Sequence, residues 1–470
     1  MLLSNLNKII KIKKKYNFKY NKSFSSITSN SKLVNKNTIF IYDKNSKAKK
    51  IFIEEAIKNN TPAIISNKYF KFINIPQFIV SDINYEKELL LKKIYKKLPY
   101  KTIAVTGTNG KTSVVWYISQ ILSKLKYNTC SYGTLGYFRN GKKINDTNLT
   151  TPAYEELYKF GFFPNKKNIF IFEASSHALD QNRIGNYPID IGAITNISHD
   201  HLDYHKSFLD YKKAKLKLFT KHLSNKGYAV VNSRIKNVTN FTKKIKSLSI
   251  KTNFFGTRNI YLKKINKYYY LFLNKYRYQI KKLNLNTDFE LENLECAILC
   301  CMLLNISEKK IVKTLPYINN PIGRLQTINY IKKKSKIIID YAHTPDALKR
   351  ILKSLTLNKK KPNLLFGCGG NRDKDKRKQM GIIANNYANK VYITDDNPRY
   401  ENPLFIRKSI LKYCPSAFEI PNRKNAIIKA VQDIGINEIL IIAGKGHEKI
   451  QIIKNKKIKF DDFQIVKKLV

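Results

Sequence analysis

The sequence predicts an α/β protein of three domains, and three observations lead to this prediction. The chain has 470 residues, which exceeds the size at which one hydrophobic core usually stops growing. Short, nearly all-apolar runs recur through its middle, as is typical of parallel strands that helices cover on both faces. The alternation of strand and helix patterns begins again near residue 323. We therefore expect a small α/β N-terminal domain at 1–99, a central parallel-sheet domain at 100–322 and a Rossmann-like C-terminal domain at 323–470.

The N-terminal domain has the weakest pattern of the three. Short β-like runs at 38–41 and 63–65 flank a helical pattern at 53–58. Pro99 closes a charged stretch and marks the end of the domain, because a proline disfavours helix at the residue before it. The basic segment at 1–24 lacks the continuous apolar core of a secretory signal, and an organelle transit peptide stays an open alternative.

The central domain opens with a strand at 102–105, a glycine-rich turn and a helix at 112–125, which is the first unit of a parallel sheet. Further buried strands are predicted, at 168–172, 191–194 and 228–231. Two aromatic-rich runs, 268–273 and 276–280, predict a β-hairpin. Basic residues among these aromatics also fit a stacking platform for single-stranded nucleic acid, but β-propensity alone explains the composition, so we favour the hairpin.

The C-terminal domain repeats the strand and helix alternation. A helix is predicted at 345–355, and strands are predicted at 336–340, 363–366, 390–394 and 438–442. A second doubly wound sheet is the natural interpretation.

The chain is strongly basic, with 88 Lys and Arg against 33 Asp and Glu and a net charge of +55. Such a balance suggests nucleic acid, an anionic membrane or an acidic substrate. The lysines, however, are spread along the whole chain and accompany many Asn, Ile, Tyr and Phe residues. This pattern indicates compositional drift and a solvated surface, so we expect neither a nucleic-acid nor a membrane partner.

The six cysteines show neither paired CxxC motifs nor the spacing of a disulfide framework. Three of them, Cys296, Cys300 and Cys301, lie at helical spacing inside an apolar run, where core packing is expected. The apolar runs are shorter than the roughly 18 residues that span a bilayer. We expect a soluble, cytoplasmic protein with reduced thiols.

A phosphate-binding loop is predicted between the first strand and helix of the central domain. Its residues are Thr106, Gly107, Thr108, Asn109, Gly110, Lys111, Thr112 and Ser113. Backbone N–H groups at a helix N-terminus bind phosphate, Lys111 would reach the β- and γ-phosphates, and Thr112 would hold Mg²⁺. Val105 replaces the first glycine of the full Walker consensus, and an ordinary glycine turn is the alternative.

Two further polar segments follow buried strands, where α/β folds place ligands. Glu173 begins the first, and its carboxylate suits Mg²⁺, although it could equally be a neighbour of a helix N-cap. The second contains His199, His201 and His205, but no thiolate or second histidine pair indicates zinc. The lysine-rich segment at 211–219 is by itself only a basic amphipathic helix.

The Gly-Thr-Asn-Gly-Lys-Thr loop at 107–112 resembles the ATP loop of the Mur ligases and of the folylpolyglutamate synthases. Its companions in chain order are similar to Mur ligase motifs, namely Asp-His-Leu-Asp at 200–203, Tyr-x-x-Ala-Lys-x-x-Leu-Phe at 211–219, Asp-Tyr-Ala-His-Thr-Pro-Asp at 340–346, Gly-Cys-Gly-Gly-Asn-Arg-Asp-Lys at 367–374, Asp-Asn-Pro-Arg at 396–399 and Gly-Lys-Gly-His-Glu at 444–448. Asn371 and Asp375 depart from residues that are frequent in relatives. The resemblance extends over nearly the whole chain.

The resemblance implies an ATP-driven amide ligase that works through an acyl phosphate in peptidoglycan precursor synthesis. Its implied cofactors are ATP and Mg²⁺, with a second Mg²⁺ held by His201 and by Lys215 after carbamylation by CO₂. The residues it implies for catalysis are Lys111, Glu173, His201 and Lys215. The implied metal ligands are Thr112, Glu173, His201 and Lys215. The residues implied for ATP binding are Gly107, Thr108, Asn109, Gly110, Lys111, Thr112, Ser113, Asn293 and Arg324.

The resemblance also implies the two other substrates, UDP-N-acetylmuramoyl-L-alanyl-D-glutamate and meso-2,6-diaminopimelate. A guanidinium grips a carboxylate in a bidentate fashion, and Arg399 would select the second carboxylate of diaminopimelate, although it could instead cap a turn. The implied diaminopimelate residues are Arg372, Asp396, Asn397, Pro398, Arg399, Gly444 and Glu448, and the implied UDP-sugar residues are Ser31, Thr150, Thr151, Ser175, Gln181 and Arg183.

Several alternatives to this function stay open. Another Mur ligase or a folylpolyglutamate synthase would share the ATP loop but use a different acceptor. A basic nucleic-acid-binding NTPase would explain the charge and the aromatic hairpin, but would not need Arg399 or Glu448. A decayed, inactive relative would have lost chemistry that every proposed position here retains. We expect a monomer.

Overall fold

In a computed structural model, the apolar runs of the sequence form the strands of three main sheets. The structure describes residues 1–44, 50–147, 149–163, 167–201, 204–257, 260–285, 287–356 and 360–470. The strands are β1 (Ile12–Tyr16), β2 (Ser26–Thr28), β3 (Thr38–Tyr42), β4 (Ile64–Ser66), β5 (Gln77–Val80), β6 (Lys101–Thr106), β7 (Asn128–Gly133), β8 (Gly136–Arg139), β9 (Lys142–Asn145), β10 (Asn168–Glu173), β11 (Ile189–Ile194), β12 (Leu223–Asn232), β13 (Lys251–Phe255), β14 (Ile260–Ile265), β15 (Tyr268–Leu273), β16 (Tyr276–Ile280), β17 (Gln326–Tyr330), β18 (Ser335–Asp340), β19 (Asn363–Phe366), β20 (Val391–Ile393), β21 (Phe418–Glu419), β22 (Ile439–Ala443), β23 (Ile450–Ile453) and β24 (Lys456–Lys459).

The helices connect these strands. They are α1 (Ile51–Lys58), α2 (Ile83–Ile94), α3 (Lys111–Lys124), α4 (Tyr154–Gly161), α5 (Ser176–Asp180), α6 (Phe208–Lys217), α7 (Val238–Lys246), α8 (Asp288–Met302), α9 (Glu308–Thr314), α10 (Pro345–Ser354), α11 (Asp375–Tyr387), α12 (Pro403–Leu411), α13 (Arg423–Asp433) and α14 (Asp462–Lys467). Within the described ranges, no helix is long and apolar enough to cross a membrane.

A five-stranded sheet organises the first of two compact units, which comprises Met1–Tyr100, Pro152–Asn168 and Arg183–Tyr187. Its strand order is β1-β5-β4-β3-β2, and only the pairing of β1 with β5 is antiparallel. Helix α1 buries Ile53 and Ala56 in the core of this unit. The strands predicted at 38–41 and 63–65 and the helix predicted between them are confirmed.

The second unit comprises Lys101–Thr151, Ile169–Asn182 and Pro188–Val470, and its larger sheet has the order β13-β12-β11-β6-β10-β7-β8-β9. Strand β6 lies at the centre and runs parallel to β10 and β11. Because the carboxyl ends of parallel strands lie at one edge of a sheet, the loops after these three strands meet there. The predicted parallel sheet is confirmed, and its edge positions the site described below.

The predicted hairpin is confirmed as β15 and β16, and β14 adds a third antiparallel strand to it. Alternate residues of β15 are buried, and Leu271 and Leu273 join the core beneath α3 and α8. Cys296, Cys300 and Cys301 belong to the same core. All six cysteines are buried free thiols, as expected.

The C-terminal sheet has the order β17-β18-β22-β19-β20-β21. Its pairings are parallel except that of β17 with β18. Separate hydrophobic cores cover its two faces, one including Leu348 and Met380 and the other Ile427 and Val431. The predicted Rossmann-like doubly wound sheet is thus confirmed, and the α/β class of the chain with it.

A buried ion pair ties the last helix to the C-terminal sheet. Both Arg423, at the start of α13, and Asp462, at the start of α14, have fully buried side chains. The Nε and Nη2 atoms of Arg423 donate to the two carboxylate oxygens at 2.9 and 2.7 Å, and Nη2 also donates to the carbonyl of Ala443 at 3.0 Å. The pair therefore anchors the carboxyl end of β22.

Removing one partner of this pair should destabilise the protein strongly, because the remaining charge would be buried and uncompensated. We expect Asp462→Ala to lower the free energy of unfolding by about 3–5 kcal/mol. The control is Lys429→Ala, which removes an exposed i,i+4 pair with Asp433 and should cost no more than about 0.5 kcal/mol. Urea unfolding followed by circular dichroism measures both, and equal effects would contradict the prediction.

Candidate active site

The glycine-rich loop between β6 and α3 folds tightly around the start of the helix. Gly110 is the N-cap residue, and its φ of 86° is a left-handed conformation that glycine adopts without strain. The Lys111 ammonium donates to the carbonyls of Gly107 and Thr108, at 2.8 Å each. The loop after β11 supports this arrangement, because Asn196 accepts from the backbone N–H of Asn109 at 2.9 Å. The predicted loop therefore presents a half-buried lysine at a helix N-terminus, which suits a phosphate.

Glu173 lies beneath this loop at the end of β10 and is almost fully buried. The Thr112 hydroxyl lies 3.0 and 3.1 Å from its two carboxylate oxygens, and the backbone N–H of Thr134 donates to Oε1 at 2.8 Å. Burial raises the pKa of Glu173 and lowers the pKa of Lys111, while the attraction between the two groups opposes both shifts. Thr112 and Glu173 thus place hard oxygen atoms side by side next to the phosphate loop, as a magnesium site requires.

Helix α6 brings Lys215 to the same place. Its side chain is buried, with Nζ 4.3 Å from the centre of the Tyr211 ring. The hydroxyl of Tyr211 is 3.0 Å from that of Thr108, which docks the helix on the phosphate loop. Burial and the nearby Lys111 hold the pKa of Lys215 well below its ordinary value. The lowered pKa favours the neutral amine, which is the nucleophilic form of the side chain.

His201 lies between Lys215 and the C-terminal domain in a left-handed conformation, with φ of 54°. Its Nε2 is 3.5 Å from a carboxylate oxygen of Asp200. Burial lowers the pKa of His201 to about 4, so the imidazole is neutral at neutral pH and can act as a metal ligand. Leu202 and Asp203, the last two residues of the Asp-His-Leu-Asp motif, lie outside the described residues.

Five of the residues expected to bind ATP line one cleft of about 610 Å³, namely Asn109, Gly110, Ser113, Asn293 and Arg324. The guanidinium of Arg324 stacks over the ring of Tyr341 at 4.6 Å. Asn293, on α8, lies so close to Gly110 that a Cβ atom at that glycine would be 2.3 Å from its Oδ1. Residues far apart in the sequence therefore form a single wall beside the phosphate loop.

A second cleft, of about 720 Å³, begins at Asp200 and His201 and extends into the C-terminal domain. Its lining includes six of the seven residues expected to bind diaminopimelate: Arg372, Asp396, Asn397, Arg399, Gly444 and Glu448. The seventh, Pro398, is not part of the lining, and its carbonyl instead packs against Gly370, where a Cβ atom would be 2.0 Å from the oxygen. We call this cleft the amino-acid pocket.

Arg399 is half-buried at the edge of the amino-acid pocket, with φ of 53°. Its Nη1 donates to the carbonyl of Gly370 at 2.9 Å, and no carboxylate within the described ranges forms an ion pair with it. Burial and the neighbouring Arg372 lower the pKa of Arg399. Two guanidinium groups therefore lie together in one pocket, an arrangement that an anionic ligand would stabilise.

Asn371 and Asp375, the two departures from the family pattern, keep structural contacts. Asn371 accepts a hydrogen bond from the backbone N–H of Tyr400 at 3.1 Å, and Asp375 begins α11.

The residues expected to bind the UDP-sugar are divided between the two units. Thr150, Thr151, Ser175 and Gln181 belong to the second unit. There the Thr151 hydroxyl donates to the Ser175 hydroxyl at 3.1 Å, and the Gln181 amide donates to the Tyr204 hydroxyl at 3.2 Å. Ser31 and Arg183 belong to the first unit, where the Ser31 hydroxyl donates to Glu55 at 2.5 Å.

The structure adds residues that the sequence did not single out. Asp200 carries a negative charge in the amino-acid pocket, because His201, His343 and Lys111 outweigh the effect of burial and keep its pKa below the ordinary value. Lys376 lines the same pocket and donates to the carbonyl of His343 at 3.2 Å. Asp200 and His343 belong to the motifs at 200–203 and 340–346, whereas no sequence pattern marks Lys376.

Comparison with known proteins agrees with this arrangement. The model of the Mur ligase middle domain matches residues 105–301, and that of the Mur ligase glutamate ligase domain matches residues 323–446. The UDP-N-acetylmuramoyl-L-alanyl-D-glutamate–2,6-diaminopimelate ligase of Rickettsia bellii is 37% identical over 462 residues, which cover 93% of this chain and 94% of that protein.

Solved structures show the same similarity. A structure of a UDP-N-acetylmuramoyl-L-alanyl-D-glutamate–2,6-diaminopimelate ligase matches with 28% identity and a TM-score of 0.63, covering 95% of this chain and 94% of its own. A MurF structure from Acinetobacter baumannii, at 15% identity and a TM-score of 0.70, covers 99% and 98% and shows the likeness of fold alone.

The contact between Gly110 and Asn293 can be tested with a matched pair of glycines. We expect Gly110→Ala to raise the Kd for ATP at least about tenfold, because the new methyl group would displace Asn293 and strain a left-handed residue. Gly141→Ala is the control, since Gly141 is also left-handed, with φ of 77°, but its Cβ would meet nothing closer than 4.0 Å. Titration calorimetry measures both, and an equal loss of affinity in the control would contradict the prediction.

Proposed function

Since the chain belongs to the Mur ligase family, we propose that it is an ATP-dependent ligase that joins meso-2,6-diaminopimelate to the γ-carboxylate of D-glutamate in UDP-N-acetylmuramoyl-L-alanyl-D-glutamate, a step of peptidoglycan precursor synthesis. The observation that carries this proposal is the amino-acid pocket. It combines two guanidinium groups, Arg372 and Arg399, with the Glu448 carboxylate. The two guanidinium groups match the two carboxylates of the acceptor, and the Glu448 carboxylate matches its second amine.

In the first step, the D-glutamyl γ-carboxylate attacks the γ-phosphate of ATP and forms an acyl phosphate and ADP. Both reactants are anionic, so the site must supply positive charge. Lys111 and Arg324 supply it from the protein. Both cations are in place before the substrates bind, which avoids reorganisation during the reaction.

The side chains present fit the magnesium ions that the family implies. The Thr112 hydroxyl and the Glu173 carboxylate offer adjacent oxygens, and His201 offers a neutral imidazole. Bound Mg²⁺ would offset the charge of the phosphates and of the developing transition state. Lys215 cannot serve as an ammonium, since a cation is not a metal ligand.

Carbamylation would convert Lys215 into a ligand. Its neutral amine attacks CO₂, a C–N bond forms, one proton is released, and the product is an anionic carbamate with two oxygen donors. The depressed pKa of Lys215 supports this step, because the protonated amine has no lone pair to donate. The carbamate would also place a negative charge near the Lys111 ammonium.

In the second step, the free amine of diaminopimelate attacks the acyl phosphate and releases inorganic phosphate. Arg399 would bind the distal carboxylate of the acceptor, Arg372 would engage a carboxylate, and Glu448 would bind the distal amine. Asp200 and His201 lie where the amino-acid pocket meets the phosphate loop, so the acceptor's reacting end would point toward them.

The remaining assignments complete the proposal. Residues 1–99 would bind the UDP-sugar, residues 100–322 ATP, and residues 323–470 the amino acid, with UDP-sugar contacts from Ser31, Thr150, Thr151, Ser175, Gln181 and Arg183. Six buried free thiols support a reducing, cytoplasmic location.

Acceptor selectivity tests the proposed function. With ATP, Mg²⁺ and UDP-N-acetylmuramoyl-L-alanyl-D-glutamate, phosphate release should require meso-diaminopimelate. L-Lysine lacks the second carboxylate and would leave Arg399 without a partner, so its kcat/KM should be at least about 100-fold lower. A coupled phosphate assay measures both acceptors, and equal turnover with L-lysine would refute the proposed specificity.

The role of Lys215 predicts a specific mutational pattern. Lys215→Ala should lower kcat at least about 100-fold, and Lys215→Arg should not restore it, because a guanidinium does not form a carbamate. Lys213→Ala, on an exposed position of the same helix, should retain activity. In isotope-labelled bicarbonate, carbon NMR should show a carbamate signal in the unaltered protein and none in Lys215→Ala. Full activity of either Lys215 variant would disprove the assignment.

A further inference from the structure

Lys445 lies directly beneath the amino-acid pocket and is completely buried. Its ammonium donates to the carbonyl of Ile450 at 2.7 Å, to Oδ1 of Asn397 at 3.1 Å and to Oε2 of Glu448 at 3.2 Å. An ammonium has three donors, so all of them are used. Gly444 and Glu448 line the pocket but Lys445 does not. Lys445 therefore has no contact to offer a ligand and can act only through its neighbours.

Asn397 connects the same atoms from a second direction. Its Oδ1 accepts from Lys445 and from the backbone N–H of Ile452 at 2.9 Å, which fixes the orientation of the amide. The Nδ2 group of Asn397 must then face Glu448, and it donates to Oε2 at 2.9 Å. Two donors thus hold a single oxygen of the Glu448 carboxylate.

The other carboxylate oxygen, Oε1, is differently placed. Within the described residues, its one hydrogen-bond partner is the hydroxyl of Tyr341, at 3.5 Å, which is the outer limit for such a bond. Glu448 is partly exposed in the pocket, with 28% of its side chain accessible. Because Lys445 and Asn397 both donate to Oε2, Oε1 remains available to a ligand.

We propose that Lys445 is a positioning residue that fixes the Glu448 carboxylate with Oε1 turned into the amino-acid pocket, and so controls recognition of the acceptor's distal amino group. This inference rests on the proposed function. Without the Lys445 ammonium, Oε2 would lose one of its two donors, and the carboxylate could rotate away from the amine. The effect should therefore be confined to acceptors that carry this amine.

The experiment compares Lys445→Met with Lys449→Met in the full-length enzyme. Methionine keeps much of the apolar stem but has no donor, and Lys449 is an exposed residue of the same segment. The acceptors are meso-diaminopimelate and 2-aminopimelate, which keeps the distal carboxylate but lacks the distal amine. We expect Lys445→Met to raise the KM for diaminopimelate by about 10- to 100-fold, since it loosens a charged hydrogen bond. The KM values for ATP and 2-aminopimelate should stay within about twofold, as should all constants of Lys449→Met.

A second pair of variants tests the orientation without changing Lys445. In Glu448→Gln, the donors of Lys445 and Asn397 require an oxygen at the Oε2 position, so the amide NH₂ would point into the pocket and meet the acceptor's ammonium. Glu448→Gln should then bind diaminopimelate no better than Glu448→Ala. A KM for Glu448→Gln about fivefold or more below that of Glu448→Ala would show that the carbonyl is free to turn, and would overturn the inference.

The remaining outcomes are equally decisive. Equal increases of KM for both acceptors, or a fall in kcat with every KM unchanged, would indicate a merely structural role and overturn the inference. Normal turnover of diaminopimelate by Lys445→Met would overturn it while leaving the proposed function intact. If the unaltered enzyme shows no diaminopimelate-dependent phosphate release, the proposed function fails and this inference fails with it.

Discussion

The buried carboxylate of Glu173 is the constraint on which the rest of the site depends. It lies at the end of the central sheet and is reached by the Thr112 hydroxyl from α3 and by the N–H of Thr134 from the turn after β7. A Cβ atom at Gly133 would be 2.2 Å from Oε1, so a larger residue there would displace the Glu173 side chain. An isolated carboxylate would not remain ionised in such a place, but the cations Lys111 and Arg324 oppose the effect of burial. One side chain thereby joins the helix that follows the phosphate loop to a neighbouring turn.

The same arrangement explains why Lys215 differs from the lysines around it. Lys213 and Lys215 occupy one basic helix and look alike in the sequence, yet Lys213 is exposed and Lys215 is buried. The difference arises because Tyr211 docks the helix on Thr108, which turns Lys215 toward Lys111. Burial and the charge of Lys111 lower the pKa of Lys215 more than the attraction of Asp200 raises it. The chemistry proposed for Lys215 follows from where the helix docks.

This contrast also marks how far the sequence could predict the molecule. The strands and most helices were predictable because burial on both faces leaves continuous apolar runs, and the phosphate loop because glycine and lysine stand between a strand and a helix. Lys376 was not predictable, since a single lysine among 88 basic residues carries no local pattern. Lys445 belongs to the motif at 444–448, but the motif does not reveal that its ammonium binds Glu448. Lys376 contacts the carbonyl of His343, which is distant in the sequence. The buried ammonium of Lys445 contacts Glu448, and only the fold creates these two contacts. Motif order identified the family, whereas the positioning of its side chains required the structure.

In the proposed complex, discrimination between acceptors depends on which protein side chain a wrong ligand would leave without a partner. Arg399 is held by backbone carbonyls and has no carboxylate partner among the described residues, while Arg372 lies beside it and lowers its pKa. A ligand with two carboxylates would relieve this repulsion, but one with a single carboxylate would leave the half-buried Arg399 guanidinium facing Arg372. The wrong acceptor therefore binds with lower affinity. A site built to pair polar groups rejects an analogue that lacks one of those groups more strongly than an apolar pocket could. The repulsion between the two arginines is present before any ligand binds, so an acceptor with two carboxylates would find its binding charges already in place.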